Sequence, residues 1–313
     1  MYLILDITTV NPGYPVNYRR SGASHGGSGG RVQGQTQRTA KAYGHIFEPE
    51  TFGSSGGIGY HSTSYGGNGG GIIHLNVTGR LFVDGQITSD GAPGPELASG
   101  GGSGGSIWAF VNEIAGYGRI AADGGDGYQD NSNPGGGGGG GRVAIYYHIN
   151  STMSDFTYDT FGGAAGSANA EPGGSGTAFV YSIVNNHTTL ILGNEGKECF
   201  TFENVIQDYN DLENDGCRSW IIPTSHTHAF AHAMGLQLSY HFSEIQIYGA
   251  THFAIETENV GDPLDLDFLY MIGDRTGTIH IGDQQVRVAS LSYFTDLSCT
   301  WFSRYAGFIA KRC

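Results

Sequence analysis

Cations are scarce in this chain: 15 lysines and arginines stand against 29 aspartates and glutamates in 313 residues, a formal net charge of −14 at pH 7. Phosphate recognition needs a surplus of positive side chains, so a nucleic-acid-binding role is excluded. The same deficit removes electrostatic attraction to an anionic membrane. Long apolar runs are missing too. Asp6 interrupts the apolar opening Met1 to Leu5, and no window approaches the ~20 apolar residues of a spanning helix. No leader-like stretch follows, so the protein either leaves the cell by another route or is a piece of a longer chain. The abrupt stop at Cys313 favours the second expectation.

Cysteine is rare and confined to one region: Cys199, Cys217, Cys299 and Cys313. None forms a C-x-x-C pair, which leaves zinc and thioredoxin-type chemistry without its usual spacing. An even number in one region is compatible with two disulfides in an oxidising compartment, with three connectivities open. No G-K-[ST] is present, which excludes a P-loop, and no His-Glu-x-x-His occurs. The glycine runs satisfy G-x-G-x-x-G by abundance alone, with no helix signal behind them, and no nucleophile elbow lies between strand and helix signals.

Glycine is what the chain has. It holds 54, of which 44 precede Thr177. The composition break there divides the chain into residues 1–176, rich in glycine, and 177–313, which carries the four cysteines. Within residues 1–176 and just across the break a single motif recurs, a glycine run followed by a short apolar strand: Gly69-Gly-Gly-Ile-Ile-His-Leu-Asn-Val77, Gly104-Gly-Ser-Ile-Trp-Ala-Phe-Val111, Gly140-Gly-Arg-Val-Ala-Ile-Tyr-Tyr147 and Gly174-Ser-Gly-Thr-Ala-Phe-Val-Tyr181. The last glycines before these strands, Gly71, Gly105, Gly141 and Gly176, are 34, 36 and 35 residues apart. A fainter copy is read at Gly29-Gly-Arg-Val32. A second strand signal follows inside two units, as Gly85-Gln-Ile-Thr-Ser-Asp-Gly91 and Gly118-Arg-Ile-Ala-Ala-Asp-Gly124. A unit of strand, turn, strand and glycine-rich return cannot bury its apolar face alone, whereas stacked units create a continuous core. The expected fold is all-β, a parallel, right-handed β-helix or β-solenoid with glycine-rich loops. The run Gly135–Gly141 has no side chain to bury and must be either a flexible loop or a close-packed bundle of extended strands.

Beyond Thr177 further strands are expected at Thr189–Leu192, Trp220–Ile222, Leu236–Tyr240, Glu244–Tyr248, His252–Ile255, Thr278–Ile281 and Val286–Val288, as more coils or a β-rich cap. The segment Gly273-Asp-Arg-Thr-Gly-Thr-Ile-His-Ile-Gly-Asp283, with Gly100-Gly-Gly-Ser-Gly-Gly-Ser-Ile-Trp108 upstream, resembles the glycine-rich modules of very large extracellular, multidomain proteins. That resemblance implies a pectin-lyase-like β-helix at a cell surface or in a matrix, and no defined reaction. The glycine runs are also similar in composition to the glycine-rich domain of anaplastic lymphoma kinase receptors, although the strand repeat speaks against that match.

Three N-glycosylation sequons begin at Asn76, Asn150 and Asn186 and agree with an extracellular or surface location. The histidines of Ser225-His-Thr-His-Ala-Phe-Ala-His232 place His226 and His228 on one strand face, or His228 and His232 on one helix face. Both geometries cannot hold together, and no metal is assigned. Asp265 and Asp267 would share a strand face, as paired acids of a glycosidase do, but with Asp262 and Pro263 they read as a solvated acidic loop. The aromatics Trp108, Phe110, Tyr146, Tyr147 and Tyr181 fall at strand positions and read as stacked core or surface ladders rather than sugar platforms. The expected role is a structural or adhesive segment of a larger secreted or surface protein, without catalysis or cofactor, whose partner is an extracellular protein or carbohydrate. Two alternatives stand beside it: a carbohydrate-active β-helix enzyme, lyase or hydrolase, and a glycine-rich receptor ectodomain for a protein ligand.

Overall fold

The structure, a computed structural model, describes residues 3–6, 19–34, 42–60, 65–150, 156–198, 218–221, 238–255, 264–281, 286–289 and 293–295. Every regular element among them is a strand. Strand β1 (Leu3–Asp6) lies antiparallel along the edge of β2 (Ile72–Phe82). Each coil of the first half then supplies one long and one short strand. The short strands are β3 (Gln86–Thr88), β5 (Arg119–Ala121) and β7 (Thr157–Asp159); the long ones after β2 are β4 (Ser106–Ala115), β6 (Arg142–Asn150) and β8 (Thr177–Ser182). The long strands pair in parallel in the order β2-β4-β6-β8, and the short ones in the order β3-β5-β7. The result is a parallel β-solenoid of about three turns. Every long strand begins one residue after its anchor glycine, because the sequence becomes β-branched and aromatic there and acquires side chains to pack.

Alternation decides the faces. Ile107, Ala109, Val111 and Ile114 of β4 and Val143 and Ile145 of β6 point inward, onto Ile120 of β5 and Tyr158 of β7. Tyr147, one of the five strand aromatics, belongs to this core. Trp108, Phe110 and Tyr146 point the other way.

Strand β9 (His187–Gly193) folds back on β8 as an antiparallel hairpin whose turn holds Asn186 at φ 47°. In-register partners of the hairpin share a face, and the two faces now bury different things. Ala178 and Val180 close the first core, whereas Phe179 and Leu190 enter a second core on the opposite side of the same sheet. That core is completed by the remaining strands: β10 (Arg218–Ile221), β11 (Leu238–Tyr248), β12 (His252–Ile255), β13 (Leu264–Gly273), β14 (Thr278–Ile281), β15 (Val286–Ala289) and β16 (Tyr293–Thr295). Strand β11 lies parallel between β9 and β13, β15 and β16 follow on β13, and β10-β12-β14 form the facing sheet. Phe242, Ile245, Ile247, Phe253, Leu266, Phe268 and Ile279 fill the space between them. The two halves therefore share one sheet and carry their cores on its opposite sides. Strand β13 corrects the reading of Asp265 and Asp267 as part of an acidic loop: both lie in a ten-residue strand, alternating in sequence with Leu264, Leu266 and Phe268.

The glycine-rich returns pack into a bundle. The N–H groups of Gly136 and Gly139 donate to Arg20 O and Ala23 O, those of Gly137 and Gly140 to Glu171 O and Gly174 O, and those of Gly138 and Gly141 to Gly125 O and Ala122 O. The carbonyls of the same run accept from three further passes: Gly136 O and Gly139 O from Gly101 and Gly104, Gly137 O and Gly140 O from Gly30 and Gly27, and Gly135 O and Gly138 O from Gly166 and Gly163. Each neighbour recurs every third residue, the period of a polyproline II-type helix. Six surrounding passes of the same chain thus satisfy one central run, whose bonds all go to residues outside it. A β-carbon added at any residue of Gly135–Gly141 would overlap a neighbouring carbonyl oxygen. This arrangement decides between the two readings of Gly135–Gly141 in favour of the close-packed bundle. It also corrects the faint strand copy at Gly29-Gly-Arg-Val32. Residues 20–30 supply two passes of the bundle, and Val32 makes only an isolated antiparallel bridge with Ala170.

Polar side chains pin the bundle. Arg31 grips Glu171 with Nε at 2.9 Å and Nη2 at 2.8 Å, both side chains buried. Arg142, fully buried, donates to Tyr43 O and Thr177 Oγ1. His25 lies beside it with Nδ1 at 2.7 Å from Gly104 O and Nε2 at 2.8 Å from Thr51 Oγ1. Burial, reinforced by the Arg142 charge, pushes the His25 pKa down to about 3, so the ring is neutral, with Nδ1–H donating and Nε2 accepting.

Candidate functional site

Two surface groups carry chemistry. The first lies where the short strands end. Arg119, the first residue of β5, reaches Asp159 Oδ2 on β7 with Nε at 2.6 Å and contacts Asp123 Oδ2 with Nη2. Asp123 follows β5 at the corner, where its N–H donates to Asp90 Oδ1 at 2.8 Å and its own Oδ1 accepts from Phe161 N–H at 2.7 Å. Burial raises the Asp123 pKa to about 6 against the pull of the Phe161 N–H and Arg119, and the charges of Asp90 and Asp159 add to the rise. Arg119 is held above its usual value: partial burial opposes this, but the Asp159 hydrogen bond and the two carboxylates outweigh it. A carboxyl whose pKa is raised to about 6, beside a second one gripped by the same guanidinium, is a pattern that can run acid and base steps.

The same atoms also do structural work. Asp84 Oδ1 accepts from Tyr117 N–H, Asp126 Oδ1 from Ala164 N–H, Asn194 Oδ1 from Gly162 N–H and Asp274 Oδ2 from Gly249 N–H. Corner residues clamp the backbone of another coil throughout the molecule, and Asp90 and Asp123 are two rungs of that series. With Oδ1 on Phe161 N–H and Oδ2 on Arg119, both oxygens of Asp123 are already engaged.

The second group is an aromatic row on the sheet face opposite the first core. In one register column His74, Trp108, Ala144 and Phe179 follow each other across four strands; in the next stand Asn76, Phe110, Tyr146 and Tyr181. His74 stacks on Trp108 at 4.5 Å with 4° between ring planes, and Phe110 stacks on Tyr146 at 4.4 Å and 18°. Tyr146 meets Phe179 and Tyr181 edge-on, and Phe47 joins Phe179 to Tyr240 and Phe242 of the second core. Faces that are stacked on one another are not open to a sugar, so the ladder reading holds for Trp108, Tyr146 and Tyr181, whereas Phe110 is stacked on one face only.

Of the sequon residues, Asn76, Asn150 and Asn186 are all exposed. Asp265 and Asp267 lie two apart on β13, in register with Ser239 and Arg287 and with His241 and Ala289. Asp262, His226, His228, His232 and the four cysteines Cys199, Cys217, Cys299 and Cys313 fall outside the described residues. Among the described residues no three histidine, cysteine or carboxylate side chains are grouped to hold a metal, and no helix is long and apolar enough to cross a membrane. Sequence reasoning did not single out Arg119, Asp123 and Asp159. Its signal was the repeated G-x-I-x-x-D-G, which aligns Asp90 with Asp123. Asp159 sits in a third copy that the strand register aligns on Ala121, with Phe156 in place of the first glycine and Phe161 in place of the acid. Comparison with protein-family models, curated proteins and solved structures gives no significant match.

Proposed function

We propose that this chain is a structural or adhesive segment of a secreted or cell-surface protein. The observation that carries the reading is the central glycine run hydrogen-bonded to six neighbouring passes. So many backbone groups locked into one arrangement make a stiff scaffold with little capacity to close around a substrate. The exposure of all three sequon asparagines and the acidic, cation-poor composition support the extracellular setting. The test is secretion of the full chain behind a supplied leader peptide from a eukaryotic host, followed by limited proteolysis. The chain should emerge and resist cleavage between residues 99 and 141; intracellular retention, or cutting there at the rate of an unstructured linker, overturns the proposal.

A second reading rests on Arg119, Asp123 and Asp159. In a carbohydrate-active enzyme, protonated Asp123 would give its proton to the glycosidic oxygen while the Asp159 carboxylate activates water. Release of reducing ends from a panel of polysaccharides, abolished by Asp123→Asn, would establish it in place of the structural role.

A further inference from the structure

The two aromatic columns differ at one position. In the first, β2 contributes His74, whose imidazole covers the outer face of Trp108 at 4.5 Å. In the second, β2 contributes Asn76, a short side chain, beside Phe110. Tyr146 stacks on one face of Phe110 and Trp108 lies tilted beside it at 5.5 Å. No ring stands on β2 to cover the remaining face, and Phe110 is 36% exposed. Parallel neighbours lie about 4.8 Å apart, which is the stacking distance that His74 already uses one column over. Asn76 is itself the acceptor residue of a sequon, with Thr78 exposed on the same strand. The far end of the row meets a second sequon: Tyr181 Oη donates to Asn186 Oδ1 at 3.0 Å, leaving the amide nitrogen of Asn186 to carry a sugar.

We propose that an N-linked glycan on Asn76 seats its first sugar on the open face of Phe110, in the place that the His74 imidazole fills in the adjacent column. The apolar face of a pyranose ring suits the negative face of an aromatic ring, and the contact withdraws an exposed phenylalanine from water. The glycan is thus an integral piece of the folded surface rather than a free appendage. This inference rests on the extracellular reading, because only the secretory route supplies the modification.

The test is a cycle of four full-length proteins secreted from a eukaryotic host behind a supplied leader peptide: wild type, Asn76→Gln, Phe110→Leu and the double variant. Glycopeptide mass spectrometry reads occupancy and thermal unfolding reads stability. Asn76 should be occupied, and Asn76→Gln should lower Tm by a few degrees when Phe110 is present. The drop should be much smaller in the Phe110→Leu background, which keeps the apolar cover and removes the ring. The same four proteins made in a bacterium carry no glycan, and there Asn76→Gln should leave Tm unchanged. An equal drop in both backgrounds, a drop in the bacterial proteins, or an empty Asn76 beside filled Asn150 or Asn186 overturns the seat alone. Three empty sequons in secreted protein likewise overturn the seat alone, whereas no secretion overturns the extracellular reading and the seat with it.

Discussion

Asp123 shows how a corner residue can be favourable in contacts and costly in charge. Its folded pKa of about 6 lies above the ordinary 3.8, so the native state prefers the neutral acid. The stability this group contributes is complete below about pH 4 and is lost as pH rises through about 6, an effect on the order of 3 kcal/mol. Urea midpoints measured from pH 4 to 7 should fall in the wild type and fall less in Asp123→Asn, whose amide oxygen can still accept from Phe161 N–H. Equal slopes would mean that Arg119 keeps Asp123 ionised throughout. The Arg31–Glu171 pair behaves differently because both side chains are buried. Glu171→Gln strands a buried guanidinium, and denaturant unfolding should show a loss of about 3–5 kcal/mol. A paired replacement, Arg31→Met with Glu171→Leu, should cost far less. Neither partnership could be read from the sequence, since Arg31 and Glu171 are separated by nearly the whole first half. Asp123 was half legible, as the repeated acid before a glycine, but its consort Asp159 was not.

Among the elements, the long strands were legible because anchor glycines and apolar strands repeat at a spacing that only stacked coils explain. Strand β13 was not, because Asp265 and Asp267 alternate with the residues that face the core and make a strand look like a loop. The copy at Gly29 misled for the opposite reason: its glycines serve close backbone approach in the bundle, and nothing apolar follows Val32 to build a coil. Glycine positions consequently differ in what they tolerate. At Gly138 a β-carbon would strike the Gly102 carbonyl, whereas at Gly71 nothing lies within 4 Å. Thermal unfolding should therefore show Gly138→Ala losing about 3 kcal/mol or more, through overlap with backbone that cannot rotate away. Gly71→Ala should stay within about 0.5 kcal/mol of the parent. Equal effects at the two sites would contradict the packing.

At the scale of the whole molecule, the hairpin of β8 and β9 lets one sheet serve two cores lying back to back. The first core, the second core and the glycine bundle meet along the strands that follow Gly141 and Gly176, so they should unfold together. Native-state hydrogen exchange tests this directly: the amides of residues 136–141 should exchange only through global opening, with the protection of β4 and β6. Faster exchange would make the bundle a separately melting unit.

The three-residue period of the bundle has a spectroscopic consequence. Extended left-handed helices absorb circularly polarised light much as unfolded chains do, because unfolded chains visit that same conformation. A far-ultraviolet spectrum of this protein would accordingly score its interlocked glycines as coil. Hydrodynamic radius and amide protection, rather than dichroism, are the observables that can tell its order from its absence.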